Sequence, residues 1–144
     1  MPKFLTIFLI VCCTSMLSAQ SGITGVWYNS AKSGKIEIIE QDNEYTGKII
    51  WIDEPLSEET GKPKVDESNP KKENQNNPII GLPVLKNFVY EGESKYTGGT
   101  VYDPENGKTY KCKMTLIDDN NLDVRGYLGF SFIGRTENWT RASK

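Results

Sequence analysis

The chemistry open to this chain is limited first by an absence: its 144 residues include no histidine. Ser–His and Cys–His nucleophile pairs and imidazole-held metals therefore lack their base or their ligand. Three cysteines occur. Cys12 and Cys13 lie in an apolar N-terminal run, which leaves Cys112 alone in the remainder of the chain. Cys112 alternates with Tyr110 and Met114 on an apolar face, where a thiol is buried and inert. Asp118-Asp119 reads as a turn and Glu58-Glu59 as solvated loop charge, without the regular spacing of a calcium loop. No glycine-rich phosphate cradle precedes a helix. The residues thus assign no catalytic group, no metal ligand and no cofactor. Paired carboxylates brought together only by folding remain the route to a hydrolase.

Binding chemistry is better represented. Tyr45, Trp51, Tyr102 and Tyr127 are aromatics of the right kind for a pocket wall, and Tyr96 accompanies them. Arg125 and Arg135 fall on neighbouring late segments, and Asp66 and Asn69 sit in a long polar stretch. An apolar cavity with a few placed polar groups is the usual form of a small-ligand site. The candidate ligand-binding set is therefore Tyr45, Trp51, Asp66, Asn69, Tyr102, Arg125, Tyr127 and Arg135. The competing reading makes the tyrosines barrel wall and pairs the arginines with Asp123 or Glu137 across strands.

These residues need elements to hold them. Period-two alternation broken by Gly, Asn and Asp predicts strands at about 23–29, 35–41, 44–52, 83–90, 94–103, 108–117, 121–128 and 130–141. Asp103-Pro104-Glu105-Asn106-Gly107 places proline where φ is near −65° and glycine where φ turns positive. Asp118-Asp119-Asn120-Asn121 and Leu128-Gly129 are further tight connections. Short turns between successive strands imply an all-β, antiparallel, up-and-down arrangement of about eight strands. Closing it into a barrel removes both edges; an open sandwich is the alternative. Parity puts Ile36 and Ile38, Cys112 and Met114, and Leu122 and Val124 inside, opposite charged outer faces. Phe130 and Phe132 are even whereas Ile133 and Trp139 are odd, which predicts a bulge or kink near Gly134.

The exception to short turns is residues 53–80, about 28 residues holding Pro55, Pro63, Pro70 and Pro78. A loop of that length is either a solvated excursion or a lid over one end of the barrel. Asn69-Pro70 predicts a single helical turn running through Glu73.

Residues 1–19 read as a secretory signal: Lys3, an apolar run from Phe4 to Cys13, and the small exit Ser18-Ala19. That run is about ten residues, half of what a membrane span needs. Cleavage after Ala19 leaves residues 20–144 as one domain exported to the periplasm or beyond, with no transmembrane anchor. It removes one of 17 basic residues and none of 19 acidic ones, so the balance stays slightly negative and interspersed. That excludes the basic stripe of a nucleic-acid partner.

Gly25-Val26-Trp27 on the first strand and Arg141 at the end of the last resemble a signature of the lipocalin and fatty-acid-binding (calycin) superfamily. There the tryptophan closes one barrel end and a late arginine packs across its ring. Gly25, Trp27 and Arg141 are accordingly barrel-closing rather than ligand-contacting. A closer resemblance runs through Gly81-Leu82-Pro83-Val84-Leu85, Tyr96-Thr97-Gly98-Gly99-Thr100-Val101-Tyr102-Asp103-Pro104, Asn106-Gly107-Lys108-Thr109-Tyr110, Val124-Arg125-Gly126-Tyr127-Leu128-Gly129, and Gly134-Arg135 through Trp139-Thr140-Arg141. Together with Asp66 and Asn69-Pro70, these resemble a bacterial family catalogued as domain of unknown function 2147. The resemblance implies an exported, lipocalin-like barrel and brings no activity with it. The family often carries tryptophan near Tyr96 and basic residues before Pro78. Here Asn76-Asn77 stand in that place, which weakens any anion-binding role for the loop.

Three functions follow as expectations. The first is an exported barrel binding a small hydrophobic or amphipathic ligand, which requires a cavity of roughly 300 Å³ or more. The second is a non-enzymatic envelope module that meets a partner protein through the long loop or a strand edge. The third is the carboxylate hydrolase.

Overall fold

A computed structural model describes residues 22–130 and 133–143. The expected signal peptide, with Cys12 and Cys13, and Phe132 lie outside those residues. The strands are β1 (Gly25–Tyr28), β2 (Gly34–Gln41), β3 (Glu44–Ile52), β4 (Pro83–Gly92), β5 (Lys95–Asp103), β6 (Lys108–Asp118), β7 (Asn121–Tyr127) and β8 (Gly134–Arg141). Each pairs antiparallel with the next, and β1 pairs back with β8 to close the barrel. Closure rests on Trp27 opposite Arg141 and Tyr28 opposite Thr140. The alternation therefore resolves as a closed barrel, not a sandwich.

The inner face carries the apolar core. Trp27, Ile38, Leu85, Phe88, Met114 and Leu122 are among the fully buried side chains and occupy the axis. Their burial is the main favourable term in folding. Gly99 on β5 makes room for Phe88: a Cβ there would lie 2.5 Å from the ring. Two backbone irregularities set which residues face in. A bulge lets β3 run from Ile49 opposite Ile36 to Trp51 opposite Lys35, leaving Ile50 as the extra residue. On β4, Asn87 takes φ 63° beside a shift that keeps both Leu85 and Phe88 inward.

The last hairpin differs from expectation. Residues 130 and 133 lie in the connection, and β8 begins at Gly134 with a regular register against β7. The parity conflict disappears because Phe130 precedes the strand, so no bulge is needed. Leu128, Phe130 and Ile133 stand exposed at this tip.

The two barrel ends are built differently. At one end lie the tight β2–β3, β4–β5 and β6–β7 turns together with residues 22–24. At the other lies the long connection between β3 and β4. That connection is folded: Leu56 bridges Pro63, Val65 bridges Pro78, and a 3₁₀ turn covers Lys72–Asn74. The turn begins later than Asn69-Pro70 predicts, with Lys71 at its N-cap position and no side-chain cap. Asn69 instead accepts the Lys71 N–H at 2.9 Å in an Asx-type turn.

Candidate functional site

The polar candidates of the long loop form a knot rather than a mouth. Asp66 is fully buried, and both its carboxylate oxygens are engaged. Tyr102 Oη donates to Oδ1 at 2.7 Å, and Asn69 Nδ2 donates to Oδ2 at 2.7 Å. Burial and the Asp66 hydrogen bond push the Tyr102 phenol up to about 12. Nearby, Ser68 Oγ donates to the Glu105 carbonyl at 3.2 Å. The loop also presses on Gly107, where φ is 71° and a Cβ would lie 1.9 Å from the Ser68 carbonyl oxygen. Asp66, Asn69 and Tyr102 thus fasten the connection to the β5–β6 end of the wall.

Three candidates lie on the outer face. Trp51 stacks edge-on to Tyr28 with ring centroids 6.3 Å apart, and Lys35 Nζ sits over both rings. Arg125 lies opposite Thr136 and donates to its hydroxyl at 2.9 Å. Tyr127 is opposite Gly134 on the same outward parity. Arg135 shares the inward parity of Trp139 but stands at the rim, exposed, 3.7 Å from Glu137. Glu137 also accepts from Trp139 Nε1 at 3.3 Å.

Tyr45 belongs to a different place. At the tight-turn end a concavity of about 300 Å³ is lined by Gly22, Thr24, Glu40, Tyr45, Tyr90, Ser94, Tyr96 and Leu116. Tyr96 is its buried centre. The Tyr45 ring meets Tyr96 edge-on at 4.9 Å, and Tyr90 lies tilted against Tyr96 at 5.1 Å. These separations are those of favourable aromatic pairs. Glu40 pairs with Tyr45 across β2 and β3. Burial first, then the charge of Glu40, hold the Tyr45 phenol above its ordinary range. Burial does the same to Tyr96, opposed by a hydrogen bond from the Ile23 backbone. The eight candidates therefore do not converge, and only Tyr45 lines this concavity.

Glu40, Tyr90 and Tyr96 were outside the candidate set. The signal for Glu40 was in the chain, since it continues the inward parity of Ile36 and Ile38 and is an acid on an apolar face. Tyr90 follows Phe88 by two positions in the same way.

The strap of residues 22–24 that completes the concavity is held by Arg141. Its guanidinium lies 4.2 Å from the Trp27 ring centroid and donates to the Thr24 carbonyl at 2.8 Å and the Gly22 carbonyl at 2.9 Å. It also donates to the Asp119 carbonyl, joining the β6–β7 turn to the strap. Trp27 Nε1 donates to the Ile23 carbonyl at 2.8 Å. Gly25, with φ 122°, would place a Cβ 2.8 Å from Arg141.

A shallower groove of about 240 Å³ runs along Asn77, Pro78, Ile80, Gly81, Leu82 and Pro83. Among the described residues Glu40 is the one carboxylate lining the concavity, and the groove has none. Among the described residues no cluster of His, Cys, Asp and Glu suits a metal ion. No helix there is long and apolar enough to cross a membrane. Cys112 is buried, and desolvation pushes its thiol up to about 12, far from a nucleophile.

A family model described as an uncharacterized protein conserved in bacteria (DUF2147) matches residues 25–141. A solved structure, described as protein HP1028 from the human pathogen Helicobacter pylori and a member of the lipocalin family, is similar in fold. The TM-score is 0.72 at 23% identity, over 84% of this chain and 83% of that one. No curated protein matches the chain significantly.

Proposed function

The chain belongs to the bacterial DUF2147 family, and on that premise we propose that its lipocalin-like barrel binds a small, partly apolar ligand at the tight-turn end. The observation that carries this is the concavity of about 300 Å³ walled by Tyr45, Tyr90, Tyr96 and Leu116. Its size sits at the lower bound of small-ligand pockets. A cluster of buried apolar side chains lies within the barrel, so the ligand is small or inserts only one end. This seat lies at the end of the barrel opposite the 53–80 connection. Export to the periplasm or beyond remains part of the proposal and rests on residues 1–19.

The test is saturable binding of a neutral fluorescent probe, N-phenyl-1-naphthylamine, to the purified protein. Binding should weaken at least fivefold in Tyr90→Ala, whose side chain is half exposed and carries little of the core. Binding that is absent, or indifferent to Tyr90 and Tyr45 substitutions, overturns the reading. Native mass spectrometry of protein purified from its own host would then weigh a retained molecule directly.

One observation favours a second reading, an envelope interaction module. Leu128, Phe130 and Ile133 expose apolar surface at the β7–β8 tip, at 63%, 68% and 57%. Such surface marks contact sites more often than scattered single residues do. Leu128→Ser together with Ile133→Ser should abolish recovery of a partner from envelope extract if this reading holds. Unchanged recovery counts against it.

A further inference from the structure

Resting on the ligand site just proposed, we infer that its ligand is an organic monocation, an alkylammonium whose head sits among the tyrosines. Three independent features of this end point the same way.

The first is the wall. Tyr45, Tyr90 and Tyr96 present three rings at different tilts, 84° and 46° from Tyr96, around one concavity. Aromatic faces carry negative electrostatic potential, and tilted rings around a common space are how proteins hold ammonium groups. A neutral apolar ligand would be served equally well by aliphatic side chains, of which this lining has one, Leu116.

The second is Glu40. It lines the concavity opposite Tyr45, its partner across β2 and β3. Among the described residues no lysine or arginine lies within ion-pair distance of Glu40. No cationic side chain lines the concavity. Among the described residues the carboxylate is therefore a counter-ion without a cation.

The third is the rim. The turns that surround the opening carry Asp42, Glu44, Glu91, Glu93 and Asp118. Against them, among the described residues, stand Lys95, 3.7 Å from Glu93, and Arg141, whose guanidinium donates to three backbone carbonyls and lies over the Trp27 ring. Clefts ringed by one sign of charge concentrate ligands of the opposite sign. An anionic amphiphile would be repelled here. The opposite end of the barrel has no such ring, since Lys62, Lys64, Lys71 and Lys72 accompany its acids.

Leu116 and the Tyr90 ring continue the surface outward, so an ammonium head seated against Tyr96 would lay a short alkyl chain along them. The strap of residues 22–24 closes the remaining side.

The experiment compares three eight-carbon ligands by calorimetry on the same protein: octyltrimethylammonium, 1-octanol and octyl sulfate. The expected result is at least tenfold tighter binding of the ammonium than of the alcohol, with the sulfate weakest. The preference should shrink as salt rises, because the rim charges are exposed. Glu40→Gln should cut the ammonium-to-alcohol ratio about fivefold. Equal affinities for ammonium and alcohol, or a ratio unmoved by Glu40→Gln, overturn the monocation while the ligand site survives. Tighter binding of the sulfate overturns it as well. If the neutral probe does not bind, the ligand site itself fails.

Discussion

Replacing Tyr102 by phenylalanine removes one oxygen and isolates the knot that ties the long connection to the barrel. In the native protein that hydroxyl donates at 2.7 Å to a carboxylate with no solvent exposure. The phenylalanine ring keeps the packing but leaves Asp66 Oδ1 buried without its donor. Hydrogen bonds to charged groups contribute about 1.5–3 kcal/mol, and an unpaired buried charge adds to the loss. We expect Tyr102→Phe to cost about 2 kcal/mol. For a protein of this size that lowers Tm by about 5–10 °C and the urea midpoint by about 1 M. The assay is urea unfolding followed by tryptophan fluorescence, since Trp27 and Trp139 are buried and report on global opening.

The decisive measurement is the double-mutant cycle with Asp66→Ala. Removing both partners costs less than the two single losses added together, because the orphaned charge is gone. A coupling energy of about 1–2 kcal/mol is expected. Additivity within about 0.5 kcal/mol, or a Tyr102→Phe protein as stable as its parent, would refute the knot as a structural fastening. It would return Asp66, Asn69 and Tyr102 to the list of groups held in reserve for a ligand.

Gly99→Ala places a methyl 2.5 Å from the Phe88 ring at the barrel axis. Overpacking there should cost about 1–3 kcal/mol, and Phe88→Leu in the same chain should restore part of it; thermal melts decide. Arg141→Lys keeps the charge but not the planar fork that reaches the Thr24, Gly22 and Asp119 carbonyls. A loss of about 2 kcal/mol is expected, with hydrogen-exchange protection falling at residues 22–24; full protection there would contradict the stapling role. Alkaline unfolding tests Cys112. Its folded thiol holds a proton up to about 12, against 9.0 for an exposed one. The native state therefore binds more protons than the unfolded state across that window. The stability this provides is complete below pH 9.0 and is lost as pH rises toward 12. Tyr102, raised from 10.0 to about 12, acts with the same sign from a higher starting point. Cys112→Ala should flatten the fall in urea midpoint between pH 9.0 and 10.0, and an unchanged slope would contradict the burial argument.

The barrel was largely legible because its determinants are local. Alternation of Ile36 and Ile38, Cys112 and Met114, or Leu122 and Val124 needs only a pleated chain with one face in water. Gly107 declared its turn for the same reason. The outward position of Arg125 and Tyr127 was also implied, since they alternate with Leu122 and Val124. Trp51 was not legible. Counting by twos from Ile49 puts it inside, and one extra residue at Ile50 turns it out toward Lys35. Nor could the chain announce where the last strand begins, because Phe130 and Ile133 are apolar yet exposed in a turn.

What the sequence determined by itself was therefore the class of object. It is an all-β chain of alternating antiparallel strands, lacking histidine and with Cys112 its one thiol beyond the N-terminal run. Each of these depends on residue type or on neighbours two to four positions apart. Which groups share a space depends instead on register, and register joins residues far apart in the chain. Glu40 and Tyr45 come from one hairpin, Tyr90 and Tyr96 from another, and only barrel closure and the Arg141-held strap bring them around one concavity. Asp66 and Tyr102 meet across 36 positions. Tertiary structure thus separated the candidates between two distinct ends, a fastened loop and a tyrosine-walled concavity.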